Sequence, residues 1–311
     1  MSIREKLLNK TNAAFVAFMA LGFALPSQEG SRSLFAYGLA AALQLLFWAR
    51  LALCRGDGGG GRGSDKARVT GDVVFLCLLL LFAWEAATAK FALLDHFLYP
   101  APGEVAALFI EDFPNLISGL LSSLKILGTG YVLAVLTGVP LGLVVGWNRR
   151  LYQVAKPVTK MLGAIPPIVY IPYAIAILPT FRSASVFIIF IGSFWPIFIN
   201  TLNGVFDVDR RLIDSARAIN VSPADMLTRV ILPGTIPSIM SGATIGLSFS
   251  FILLTSAEMI GATNGMGWYV KYFSDFANYP KVIVGIVFIG LVVSVITFFF
   301  ERLERYLLRW R

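Results

Sequence analysis

The groups in this chain that could do chemistry are few, and most lie inside apolar runs. Glu258 sits in "TSAEMIGA" with Thr255 and Ser256 in the turn before it; Lys125 sits in "SSLKILG"; Asn200 and Asn203 sit in "INTLNG". Burying an ionisable or amide group among apolar neighbours is costly, so each is a candidate for a solute path. Glu258 could shape an outer gate or the path itself, or equally pair with Lys271 or reach interfacial water. Asn200 and Asn203 could face an inner vestibule, but hydrogen bonding between helices is the favoured reading. Lys125 could attract anions, although snorkelling or pairing is favoured. No HExxH, no GxSxG, no paired membrane Asp and no His cluster occurs, so a membrane-embedded enzyme would have to work with Glu258 and hydroxyls alone. A secondary transporter or channel, the alternative without an ATPase, needs ion-coupling charges at mid-membrane, and few are present. Cys54 and Cys77 have neither disulfide-framework nor metal-ligand spacing, and His96 is isolated.

The elements that carry these groups follow from composition. Hydrophobic residues make up 57% of the chain and charged residues 14%, and the mean hydropathy is +0.75. A soluble domain carries about 25% charged residues. The chain is therefore expected to be an all-α polytopic membrane protein in a lipid bilayer. Runs of about 20 apolar residues predict helices over 12–26, 34–54, 72–93, 118–146, 158–178, 185–205, 239–262 and 280–300. The first also fits a secretory signal, but a retained helix is expected, because a polytopic chain needs no removable leader. Pro166, Pro167 and Pro172 should break or bend the fifth helix. Ala134, Gly138, Gly142 and Gly146 give the fourth a close-packing face.

The net charge of +8 does not imply nucleic acid, because the cations cluster outside alternate span ends. Arg4, Lys6, Lys10, Arg55, Arg62, Lys66, Arg68, Arg149, Arg150, Lys156, Lys160, Arg210, Arg211, Arg217, Arg229, Arg302, Arg305, Arg309 and Arg311 fall on one side. Only Arg32, Arg182, Lys271 and Lys281 fall on the other. The positive-inside rule places both termini, and segment 206–238, in the cytoplasm. Residues 1–71 read as an extra two-helix membrane module ending in a basic, Gly-rich linker, and 72–311 as a six-helix core. The linker has no GxxxxGK[ST] spacing, so no phosphate loop is expected.

The cytoplasmic segment is unusually well built. Over 208–219, Leu212, Ala216 and Ile219 keep helical spacing, with Ile213 beside them and Arg210, Arg211, Asp214 and Arg217 around the rest. Asn220 suits the left-handed end of a helix. Ser222 then caps a second helix, with Pro223 at its first position and Asp225 placed to reach back. That helix presents Met226, Leu227, Val230 and Ile231, and Leu232-Pro233-Gly234 is expected to end it before the next span starts at Thr235 and Pro237. Neither helix is long enough to stand alone in water, so the pair must pack on its own spans or on another protein.

"DSARAIN…VILP" resembles the cytoplasmic signature of importer-type ATP-binding-cassette permeases, E-A-A-x-x-x-G followed by I-x-L-P. Asp214 stands at the acidic position, Ser215 and Ala216 at the small ones, Val230 for Ile, and Leu232-Pro233 at the end. Asn220 replaces the usual Gly. "YPAPGEV", "GVPLGLVVGWNRRL", "PPIVYIPYAIAI", "FWPIFINTLNGV" and "SAEMIGATNGMGWYV" are similar to the nitrate/sulfonate/taurine branch, over roughly 95–311. The resemblance implies a permease subunit of the bacterial inner membrane, paired with a second copy as a homodimer. It further implies an ATPase subunit pair that binds ATP and Mg, with no cofactor in this chain, and an extracytoplasmic solute-binding protein. The coupling residues it implies are Leu212, Ile213, Asp214, Ser215, Ala216, Arg217, Asn220, Met226, Val230, Leu232 and Pro233.

Overall fold

A computed structural model describes residues 10–24, 33–53 and 61–309. The chain is helical, and no strand occurs among the described residues. In chain order the helices are α1 (Lys10–Ala24), α2 (Ser33–Leu53), α3 (Gly61–Glu85), α4 (Pro102–Glu111), α5 (Phe113–Trp147), α6 (Arg149–Leu162), α7 (Ile171–Ile177), α8 (Phe181–Phe206), α9 (Arg210–Ala218), α10 (Pro223–Gly261), α11 (Met266–Asp275) and α12 (Tyr279–Leu307). Among the described residues, five are long and apolar enough to cross a membrane: Val69–Lys90, Phe113–Trp147, Phe181–Phe206, Pro223–Gly261 and Tyr279–Leu307. Arg149–Leu162 with Pro167–Ile177 makes a sixth if the bent pair is counted as one span. These correspond to the expected six-helix core. The two expected N-terminal spans are present as helices, with apolar stretches Lys10–Leu21 and Ala36–Ala49 among the described residues; positions 25, 26 and 54 of the expected spans lie outside those residues.

Two compact units result, one of residues up to Pro114 with Phe273–Val284, the other of Asn115–Tyr272 with Gly285–Arg311. In the first unit α1, α2 and α3 share a core of Phe18, Ala36, Ala40, Phe47, Val74 and Leu78. The Lys10 ammonium lies 2.7 Å from Asp72, and the Thr11 hydroxyl donates to the Gly71 carbonyl at 3.1 Å. The start of α1 therefore lies beside the apolar start of α3, and both helices enter from the same side. This unit also holds the ion pair between half-buried Lys281 and buried Asp112 at 2.9 Å, which ties the start of α12 to the α4–α5 junction.

In the second unit, small residues let helices meet at backbone distance, the main way apolar helices associate where lipid is as greasy as they are. A methyl group added at Gly142 would lie 2.7 Å from the Thr201 Cβ, and one at Gly146 2.8 Å from the Val205 Cβ. The predicted small-residue row of α5 thus packs on α8. Across the facing pair α8–α10, Ser193 and Ser250 share a hydrogen bond of 2.6 Å in the buried seam.

Two boundaries differ from expectation. The break that the prolines predict within 158–178 is present, but the helix starts earlier than expected: α6 begins at Arg149, capped by Asn148, whose side chain accepts from the Arg150 and Leu151 amides. It ends at Leu162, and a 3-10 turn over Pro167–Tyr170 leads into α7, with a bend of 72° across the break. Proline lacks the amide proton that helix continuation needs, and three occur within this stretch. The expected stop at Leu232-Pro233-Gly234 does not occur. A π turn over Met226–Ile231 runs directly into Leu232–Gly261, so that Pro223–Gly261 forms one helix of 39 residues. The Leu232 amide bonds five residues back to Leu227, and the next residue, Pro233, has no amide proton to misplace. The register changes where no donor is lost.

Candidate functional site

The elbow below α8 is built from caps. The Asp209 side chain accepts from the Arg211 amide at 2.9 Å and starts α9. Asn220 adopts φ +52°, and the Val221 amide returns to the Ala216 carbonyl at 3.2 Å, which closes the helix as the sequence predicts. The Ser222 hydroxyl accepts from the Asp225 amide at 3.2 Å and donates to the Asp225 carboxylate at 2.7 Å. Arg229 completes the turn, 3.0 Å from Asp225. Every bond is local, so the elbow is stiff for reasons legible in its sequence.

Its apolar side packs on its own chain. Ala216, Met226 and Ile231 join Leu143, Val205 and Val208 in one core, and Ile213, Leu227, Val230 and Leu232 pack against it. Of the residues expected to touch a partner, Ala216 and Met226 are therefore internal, and Ile213, Val230 and Leu232 pack on the same core. Leu212 and Ile219 remain outside, 55% and 77% exposed. They edge an apolar cleft of about 560 Å³ between α9 and the base of α10, whose floor includes Ser215, Ala216, Val230 and Pro233. Asp214 stands at the rim with its side chain 71% exposed, 3.8 Å from Arg217.

At the far end of α10 the arrangement is closed. Glu258 is 1% exposed. One carboxylate oxygen accepts from the Ser123 hydroxyl of α5 at 2.6 Å, and the other from the Gly267 amide in the first turn of α11 at 2.7 Å. Ser123 in turn accepts from the Met266 amide at 2.9 Å. Gly265 passes over the carboxyl group with φ +148°, and a methyl group there would lie 2.5 Å from it. One at Gly119 would meet the Gly265 backbone at 3.2 Å. The hydrogen-bond partners of the Glu258 carboxyl group are thus Ser123 and Gly267 and not the Lys271 that the sequence suggested. It clasps the loop after α10 to α5 and to the amino end of α11, where a carboxylate is well placed. Sequence reading passed over Ser123, Gly119, Gly265 and Gly267. The GMG triplet was a visible signal of close backbone approach, whereas Ser123 is 135 residues away from its partner.

The other candidates are dispersed. The Thr255 and Ser256 hydroxyls bond the Phe251 and Ile252 carbonyls of their own helix at 2.9 and 2.8 Å. The Asn200 amide donates to the Pro196 carbonyl at 2.8 Å, a bond within α8 rather than one between helices. Asn203 is half-buried and Lys125 exposed on α5. Among the described residues, these side chains do not converge on one closed site.

Comparison with known proteins places the chain. Residues 138–311 match the family described as binding-protein-dependent transport system inner membrane component. The chain is 30% identical over 230 residues to a probable ABC transporter permease protein of Brucella abortus (strain 2308), covering 73% of this chain and 90% of the relative. It is 28% identical to the taurine transport system permease protein TauC of Escherichia coli (strain K12), covering 78% and 90%. It is 31% identical to the nitrate import permease protein NrtB of Leptolyngbya laminosa, covering 55% and 61%. Among solved structures, an inward-facing MetNI methionine ABC transporter chain superposes with a TM-score of 0.55 at 21% identity, over 63% of this chain and 97% of that one.

Proposed function

The chain belongs to the binding-protein-dependent transport system inner membrane component family, and from that premise we propose how this permease of an ABC importer is driven and what it carries. A separate ATPase pair binds ATP and Mg and grips the elbow from the cytoplasm. A solute-binding protein delivers cargo from the other side, and two copies of the chain form the path. Both termini lie on the cytoplasmic face. The cargo is a small anion or sulfonate, a class supported by the names of the nitrate and taurine relatives. Residues 1–71 are a module added to the core.

The observation that carries the coupling is the continuity of Pro223–Gly261. A force applied at the cleft beside α9 meets no flexible joint before it reaches the middle of the membrane. A helix of 39 residues is about 58 Å long, more than the roughly 30 Å of bilayer hydrocarbon. Its lower end can therefore stand below the bilayer and act as a lever.

The test is uptake of labelled nitrate or taurine by proteoliposomes holding the chain, its ATPase and a loaded binding protein. Uptake should require internal or external ATP on the side of the elbow and vanish without the ATPase. Uptake by the chain alone, driven by an ion gradient, would identify a secondary transporter and sink the proposal.

A further inference from the structure

We propose that α6 is not half of a span but an in-plane helix that binds anionic phospholipids of the inner leaflet; the leaflet, though not the lipid preference, rests on the orientation proposed above. Three faces of the helix carry the argument. Leu151, Val154, Val158 and Met161 follow one another at helical spacing and are exposed, Val154 at 62% and Met161 at 69%. Arg149, Lys156 and Lys160 lie on the opposite side, with Arg150 on the flank between. No Asp or Glu occurs anywhere between Arg149 and Ile177. The third face fastens the helix: Tyr152 and Thr159 are buried, and the Tyr152 ring stacks on Phe206 at 4.5 Å with the planes 4° apart.

With that third face held against α8, the apolar stripe cannot turn inward, and something other than this unit must cover it. The bend supplies a second, independent observation. Pro167–Ile177 leaves α6 at 72°, so if that segment enters the bilayer, α6 runs along its surface. Its 14 residues reach only about 21 Å, short of a crossing. An amphipathic helix with cations on its polar side settles at the headgroup boundary, its apolar side in the acyl chains. A cation-only surface attracts anionic headgroups. A second copy is the rival cover, and a two-fold contact through this face would bring the flanking Arg150 of the two copies together. The contrast with α9 is informative. There Asp209 and Asp214 are interspersed with Arg210, Arg211 and Arg217, a mixed pattern suited to a protein partner.

The position links lipid to coupling. Phe206, the ring under Tyr152, is the last residue of α8 before the elbow. Occupancy of α6 by anionic lipid therefore steadies the platform from which α9 projects.

The experiment uses the full chain with Cys54→Ser and Cys77→Ser, reconstituted in phosphatidylcholine vesicles with phosphatidylglycerol. A bimane dye on Val154→Cys should be quenched by brominated phosphatidylglycerol at least about threefold more than by brominated phosphatidylcholine. Lys156→Gln and Lys160→Gln should each lower that ratio, and the fourfold Gln variant with Arg149→Gln and Arg150→Gln should bring it to one. Equal quenching by both lipids in the unaltered helix would overturn the anionic preference. Quenching by aqueous iodide, but not by lipid, would overturn the in-plane placement. Resistance to both quenchers with disulfide formation between Val154→Cys copies would assign the stripe to a second copy and overturn the proposal. Gln153→Cys, probed with an impermeant maleimide, should react only from the inner side. Reaction from the outer side would overturn the orientation and the leaflet named here, whereas inner reaction without lipid preference would overturn the lipid proposal alone.

Discussion

The two ends of α10 are made of similar parts and used in opposite ways. At the carboxyl end, Glu258 spends both carboxylate oxygens on Ser123 and Gly267, and glycines bring the surrounding backbone into contact with it. Little is left for a ligand to engage. At the amino end Asp209, Ser222 and Asp225 cap the helices, but an apolar cleft stays open beside Leu212 and Ile219. A buried polar group must find its partners within the chain, because losing one exposes the full desolvation cost of the other. An exposed apolar edge carries no such demand and can wait for a partner. One end is locked and the other is available, which is what a lever with a pivot and a grip requires.

Removing the lock should have the largest effect on stability. Glu258→Ala leaves the Ser123 hydroxyl and the Gly267 amide without their acceptor and should cost ~3 kcal/mol, read as a lower unfolding temperature in detergent. Asn264→Cys in the loop should then react faster with an impermeant maleimide. Equal reactivity and an unchanged midpoint would show that the clasp does not hold the loop. Gly265→Ala should cost ~2 kcal/mol or more, since its backbone angle and its closeness to the carboxyl group both penalise a side chain. Gly265 substitution leaving stability intact would mean the loop can lift away freely.

Within the elbow, Asn220→Val should cost ~1–2 kcal/mol, because a β-branched residue resists the left-handed conformation, while Asn220→Gly should be nearly neutral. If Val and Gly behave alike, the turn is not what fixes the two helices. The smallest stability change is expected where the coupling change is greatest. Leu212→Asp with Ile219→Asp touches exposed side chains and should shift stability by less than ~0.5 kcal/mol, yet abolish copurification of the ATPase. Ala216→Trp is a less clean probe, because Ala216 is buried in the elbow's own core. Retained copurification in the double Asp variant would remove the cleft from the coupling surface.

Local signals were readable in advance. The caps at Ser222 and Asp225, the left-handed Asn220, the small-residue row of α5 and the proline break after α6 each depend on neighbours a few residues away, and each lies where the spacing put it. The helix boundary at Pro233 misled, because proline usually ends a helix and the π turn that accommodates it has no sequence signature of its own. The role of Glu258 misled for a different reason. A carboxylate inside an apolar run announces that it needs partners, but not which ones.

Composition and periodicity by themselves determined that the chain is a bundle of membrane helices with a capped elbow of short helices, because burial in lipid and helix capping act on residues near in sequence. Tertiary structure alone decided that Glu258 clasps Ser123 and Gly267, that Met226 faces inward, and that α6 keeps an apolar stripe uncovered. Those outcomes turn on hydrogen bonds and packing between segments as many as 143 residues apart, and the energy of such contacts depends on distances that no local pattern encodes.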